Sequence, residues 1–194
     1  MSVDVRYANK VIRERLVYVL NTYFNDEIDN LTLSPITLLP DNEAVVSSGF
    51  GIDTLKKQFS DLNISQTAIF IEQSGPAVFN DEFSCGIGVQ TRQRVVPMKI
   101  TLIQKVEIAI EDVEQPVSTR EMLVPEIATI RGDLYGGLIE YVISKYAKDD
   151  GTSIYDVATT QSFNAGIGEP LPDFGTLLYV EVEFSVYQDV EYAV

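Results

Sequence analysis

Histidine is missing from all 194 residues, and that absence excludes the most. Neither a Ser–His–Asp nor a Cys–His constellation can be assembled without it. Cysteine occurs once, at Cys85, so the chain has no internal disulfide and no cysteine zinc site. Basic charge is scarce. The 14 Lys and Arg stand against 29 Asp and Glu, for a formal net charge of −15. Affinity for nucleic acid grows from counterions released around Lys and Arg, and no basic run exists here to release them. Long apolar runs are missing as well: none approaches the ~18 residues of a membrane span. Residues 1–10 lack the basic-then-apolar order of a signal peptide. The expected compartment at synthesis is the cytoplasm, with no membrane partner.

What is present fits one folded domain. The hydrophobic fraction is 45%, ordinary for a globular chain. The spacing of Ile12, Leu16, Leu20 and Phe24 predicts a helix over residues 4–24, with Asp4 as its N-cap. Arg6, Lys10, Arg13 and Arg15 make this the most basic part of the chain. Residues 31–65 read as irregular, with Pro35, Pro40, Gly49 and Gly51, although Leu55, Phe59 and Leu62 share a face if 53–62 is helical. Strands are expected at 67–73 and at 83–90, with a turn at 74–76. From Lys99 the chain alternates. Ile100, Leu102, Val106, Ile108 and Ile110 share one face, and Lys99, Thr101, Lys105, Glu107 and Glu111 the other.

Ser118 and Glu121 have capping-box spacing, so a helix is expected from Thr119, kinked or restarted at Pro125. Residues 133–148 predict a second principal helix, with Leu134, Leu138, Tyr141, Val142 and Tyr146 on its apolar face. Gly136 and Gly137 weaken it, which suggests close approach of another backbone there. Lys145, Lys148 and Gly151 suit its C-terminal end. Residues 152–176 read as a long loop. A closing strand then sets Leu178, Val180, Val182, Phe184 and Val186 against Tyr179, Glu181, Glu183, Ser185 and Tyr187. The fold class is α+β: a mainly antiparallel or mixed sheet flanked by two principal helices, one domain over 1–194, with irregular insertions near 31–65 and 152–176.

No motif supplies chemistry. The glycine pairs at 49/51, 86/88 and 166/168 read as turn and bulge residues, and no phosphate-binding loop occurs. "DDGTSIYD" at 149–156 lacks the alternating carboxylates of a calcium loop. In "RGD" at 131–133, Asp133 reads as a helix cap. Cys85 reads as a buried, inert thiol. These readings give no catalytic residue, metal or cofactor, and a protein that is not an enzyme. The acidic residues Glu107, Glu111, Asp112, Glu114, Glu181, Glu183, Asp189 and Glu191 read as a solvated sheet face. The alternative is an acidic rim or lumen in a ring, or a patch that meets a neighbour's basic first helix.

The order of elements resembles the tail terminator and neck proteins of tailed bacteriophages. A basic amphipathic first helix (Arg6 to Phe24) precedes an irregular segment, and strands lead into "MKITLIQKVEI". The helix "DLYGGLIEYVISKY" follows, and a late loop precedes "LYVEVEFSVYQDV". The resemblance spans most of the chain and is one of pattern. Residues 31–65 and 111–130 look longer than the minimal module.

The resemblance implies a virion protein, made in the host cytoplasm, that closes into a ring, commonly a hexamer. The ring would end the tail tube and join it to the head connector. Its partners would be further copies of itself, tube and sheath proteins, and the connector or adaptor, with DNA passing through unbound. Interface candidates are Arg6, Lys10, Arg13 and Arg15 on one side, and Tyr179, Glu181, Glu183 and Tyr187 on the other. Phe163 to Phe174 is the expected assembly loop. A head–tail adaptor is the nearest alternative. An acidic hydrolase using paired carboxylates is the alternative from another class.

Overall fold

The computed structural model describes residues 3–30, 45–48, 67–86, 89–105, 117–146, 156–167 and 177–193. In chain order the elements are β1 (Val3–Asp4), α1 (Ala8–Asp29), β2 (Val45–Ser48), β3 (Thr67–Gln73), β4 (Val78–Gly86), β5 (Val89–Lys105), α2 (Val117–Lys145), β6 (Asp156–Ile167) and β7 (Leu177–Ala193). The fold is α+β. The seven strands form one mixed sheet, in which β1–β7 and β2–β3 pair in parallel and the other pairs are antiparallel.

The spine is the β5–β7 ladder, with 17 residues in each strand and no register shift from Val89↔Ala193 to Lys105↔Leu177. β3 and β4 share one side of β5; β6 and β1 share the far side of β7. Pro97 lies inside β5, where a missing N–H would normally break a ladder. Here it falls between the stretch paired to β4 and the stretch paired to β3. Its carbonyl accepts the Ser74 N–H at 3.0 Å, on that same side of the strand.

Both helices cover one face of this sheet. Ile12, Leu16, Leu20 and Phe24 of α1 and Leu138, Ile139, Val142 and Ile143 of α2 pack with Ile69, Ile71, Met98, Ile100 and Leu102. Leu178, Val180, Val182, Phe184 and Val186 join the same core, each fully buried, as their alternation predicts. The opposite face carries a smaller buried cluster of Ala68, Phe70, Ile103 and Leu177, with Tyr179 packed against it. Ile103 and Thr101 are therefore buried rather than solvated.

Several boundaries differ from the sequence reading. α1 begins at Ala8, not at Asp4, and Tyr7 at its N-cap makes no capping bond. Asp4 pairs in β1 and accepts the Arg6 N–H instead. The strand expected at 83–90 is two: β4 ends at Gly86 and β5 starts at Val89, with these two residues paired across the hairpin. α2 starts at Val117 and continues through Pro125 and Asp133, so Asp133 is mid-helix and caps nothing. Residues 156–167, read as loop, are β6, which pairs with β7. β7 also continues past Tyr187 to Ala193. The expected helix at 53–62, the strand residues and acidic patch at 106–114, and Lys148 and Gly151 lie outside the described residues.

The close approach expected at Gly137 is absent, and one occurs at Gly132. A Cβ on Gly132 would lie 2.6 Å from the Ala165 Cβ of β6, whereas one on Gly137 would meet nothing within 4 Å. The two glycines should therefore respond oppositely to alanine, which favours helix by about 1 kcal/mol. Gly137→Ala is expected to stabilise by up to that amount. Gly132→Ala is expected to destabilise, because two packed β-carbons cannot share that gap. Urea melts of the two variants check the signs.

Candidate assembly surfaces

The basic first helix divides into groups with different roles. Arg6 is exposed, but its Nε sits 3.0 and 3.1 Å from the two Asp4 carboxylate oxygens. That contact lowers the Asp4 carboxyl to about 2. Lys10 is exposed and lies 3.5 Å from Glu14, one turn on. Arg13 is exposed and makes no ion pair among the described residues. Arg15 is only 6% exposed, so it is not available to a neighbour. It falls on the apolar stripe with Ile12, Leu16 and Val19. Its guanidinium donates to the Tyr146 carbonyl at 3.3 Å and lies 5.1 Å from the Tyr18 ring. Arg15 thus ties α1 to α2.

The outer sheet face carries a charged row across four strands. Glu72, Lys99, Glu183 and Ser162 are successive register partners on β3, β5, β7 and β6. Lys99 Nζ lies 2.9 Å from Glu72 and 3.3 Å from Glu181, and the Ser162 hydroxyl donates to Glu183 at 2.9 Å. The Glu72 bond raises the Lys99 ammonium pKa, and Glu181 adds to it. One lysine thus stands among three glutamates, so the row keeps a negative excess. Along β7, Tyr179 is half-buried on one side of this row, and Tyr187 is exposed on the other. Phe163 lies in β6, with its side chain outside the described residues, as is all of Phe174.

A third surface was not legible in the sequence. Near the C-terminal ends of both helices, Lys145 Nζ donates to Glu27 Oε1 at 2.7 Å, and the Tyr146 hydroxyl donates to the same oxygen. Tyr146 stacks on Tyr23 with ring centroids 3.8 Å apart. The Lys145 ammonium lies 4.8 Å from the Tyr141 ring centre and 4.7 Å from that of Tyr146. The Lys145 and Tyr146 bonds hold the Glu27 carboxyl below the usual carboxylate range, and Glu27 raises both partners. Beside this cluster runs an open groove of about 380 Å³, lined by Glu27, Asn30, Asp133, Leu134, Gly137, Leu138 and Tyr141. Lys145 and Tyr146 had read only as a dipole partner and an apolar residue; their link to Glu27 needs the helix crossing.

Two buried polar groups position the elements. Arg94 Nε and Nη2 donate to Gln188 Oε1 at 3.0 and 2.8 Å, directly across the β5–β7 ladder. Gln188 Nε2 donates to the Ala8 carbonyl at 3.3 Å and so fastens the start of α1 to the sheet. Burial among neutral groups lowers the Arg94 pKa. Toward the other end of β5, Gln104 donates to the Thr67 hydroxyl at 3.0 Å and to the Tyr135 hydroxyl at 2.8 Å.

Among the described residues, no group of three or more His, Cys, Asp or Glu is placed to hold a metal ion, and no helix is long and apolar enough to cross a membrane. No family model matches the chain, and no curated protein matches it.

A carboxylate with a lowered folded pKa adds stability that is complete above its ordinary value and is lost as pH falls through the lowered one. Glu27→Gln should therefore lower the melting temperature at pH 7, and the gap to wild type should close in acid below the usual carboxylate range. In the core, Gln188→Leu leaves the Arg94 guanidinium buried without its acceptor and should cost about 2–3 kcal/mol. The double variant Arg94→Met/Gln188→Leu should recover much of that, as denaturant melts of both would show.

Proposed function

We propose that this chain is a structural subunit of a tailed-phage neck. Copies of it form a ring that ends the tail tube and joins it to the head connector. The observation that carries this reading is the order and reach of the elements: α1, the early strands, the long β5, α2 and the closing β7. This is the order on which the family resemblance rests, except that β6 stands where a late loop was expected.

Two further features support an assembling role. β6 is an edge strand among the described residues, and its regular half, Ser162–Ile167, carries no charge and no proline. Edges without such protection recruit further strands. The outer face keeps a negative excess at Glu181 and Glu183, continued along β7 by Asp189 and Glu191, which suits a surface that DNA passes without capture. Tyr179, Glu181, Glu183 and Tyr187 are the residues proposed for that face. The protein would belong to the virion neck, after assembly in the host cytoplasm.

Native mass spectrometry at low and high salt, alone and with tail tubes, tests the reading. A six-fold species, or a monomer that becomes six-fold only on tubes, is expected. A twelve-fold species would assign it to the head–tail adaptors. A monomer indifferent to tubes and connectors would overturn the structural role and reopen the carboxylate hydrolase.

A further inference from the structure

Among the described residues, no contact accounts for Gly137. It lies in the interior of α2, where glycine weakens a helix, yet a side chain there would meet nothing within 4 Å. It lines the open groove beside Leu134, Leu138 and Tyr141, the last 47% exposed. Asp133 and Glu140 are exposed on the same helix and make no ion pair among the described residues. The result is a groove with an apolar floor, acidic borders and one point where a partner's backbone can come close.

The matching surface is on α1. Lys10 and Arg13 are exposed there, and among the described residues Arg13 makes no ion pair. Tyr7 and Tyr18 flank them, 55% and 49% exposed. Within one chain this basic end cannot reach the groove. Lys10 and Glu27 lie on one rigid helix, seventeen residues or about 25 Å apart. A second copy can bring the two together.

We infer that the Lys10–Arg13 face of one copy docks in the Asp133–Gly137–Tyr141 groove of the next. The two surfaces differ, so the contact is head-to-tail and repeats until it closes. Its closure into a ring rests on the neck reading; the contact itself does not. An acidic chain would otherwise repel its own copies, and this is a place where its charges are complementary.

Sedimentation velocity of the full chain over a concentration series tests the contact. Wild type is expected to self-associate. Gly137→Gln fills the groove and Arg13→Glu reverses the docking charge. Each should weaken association at least tenfold while the monomer's thermal melt is kept. Pairing Arg13→Asp with Asp133→Arg should restore most of it. Association unchanged by both single variants overturns the inference and leaves the ring to another contact. Loss with Gly137→Gln but not with Arg13→Glu gives the groove to a different occupant and overturns the pairing. A chain monomeric at every concentration overturns self-docking, while binding to tail tubes would still leave the neck reading standing.

Discussion

The antiparallel ladder of β5 and β7 is the constraint on which the rest of this fold depends. Every other strand but β2 attaches to one of these two, and β2 attaches through β3. Because side chains alternate with a period of two, one register fixes both faces at once. Even-numbered residues from Arg94 to Gln104 and from Leu178 to Gln188 face the helices. A slip of one residue would drive Glu181 and Glu183 into the core and expose Val180 and Val182. Arg94 and Gln188 reinforce the register, since their bond forms only when these two residues are opposite. The same Gln188 holds the first turn of α1, so strand register and helix position are set by one side chain.

The parts of the fold that could be read in the sequence are those where one periodicity dominates. β3 was legible to the residue because both its ends are marked and its apolar run is short. The inward face of β7 was legible because five aliphatic or aromatic residues alternate with polar ones. β6 was not, because its sequence has weak alternation and its glycines look like loop. Its strand character comes from pairing with β7, a non-local cause. The hairpin between β4 and β5 was hidden for the opposite reason: "FSCGIGVQ" keeps alternating straight through the turn. Asp4 looked like a cap, but the chain uses three residues, Val5 to Tyr7, to leave β1 before the helix starts.

The proposed interface shows the same division. The basic cluster was visible as composition, yet its members have unlike environments. Arg15 lies at i+3 from Ile12 and i−4 from Val19, so helical spacing alone sends it inward. Local charge density gives no sign of that. The groove around Gly137 was half-visible: the glycine stood out as a weakness, and the neighbour that explains Gly132 turned out to be Ala165 of β6. Which of the glycines met its own chain could be settled only by the crossing of α2 over the sheet.

Charge connects these observations. The chain has 14 basic residues, and burial removes Arg15, Arg94 and Arg131 from the surface. Arg6, Lys99 and Lys145 are further committed to carboxylates of their own chain. The cationic surface left for a partner is thus much smaller than composition suggests, and on α1 it contracts to Arg13 and to Lys10, whose exposed pair with Glu14 is long at 3.5 Å. Net repulsion between copies acts over the whole surface, so salt screens it strongly. A docked pair inside a groove is partly shielded from solvent and is screened less. Moderate salt should therefore remove more repulsion than attraction, and association of this acidic chain should pass through a maximum with ionic strength rather than fall steadily.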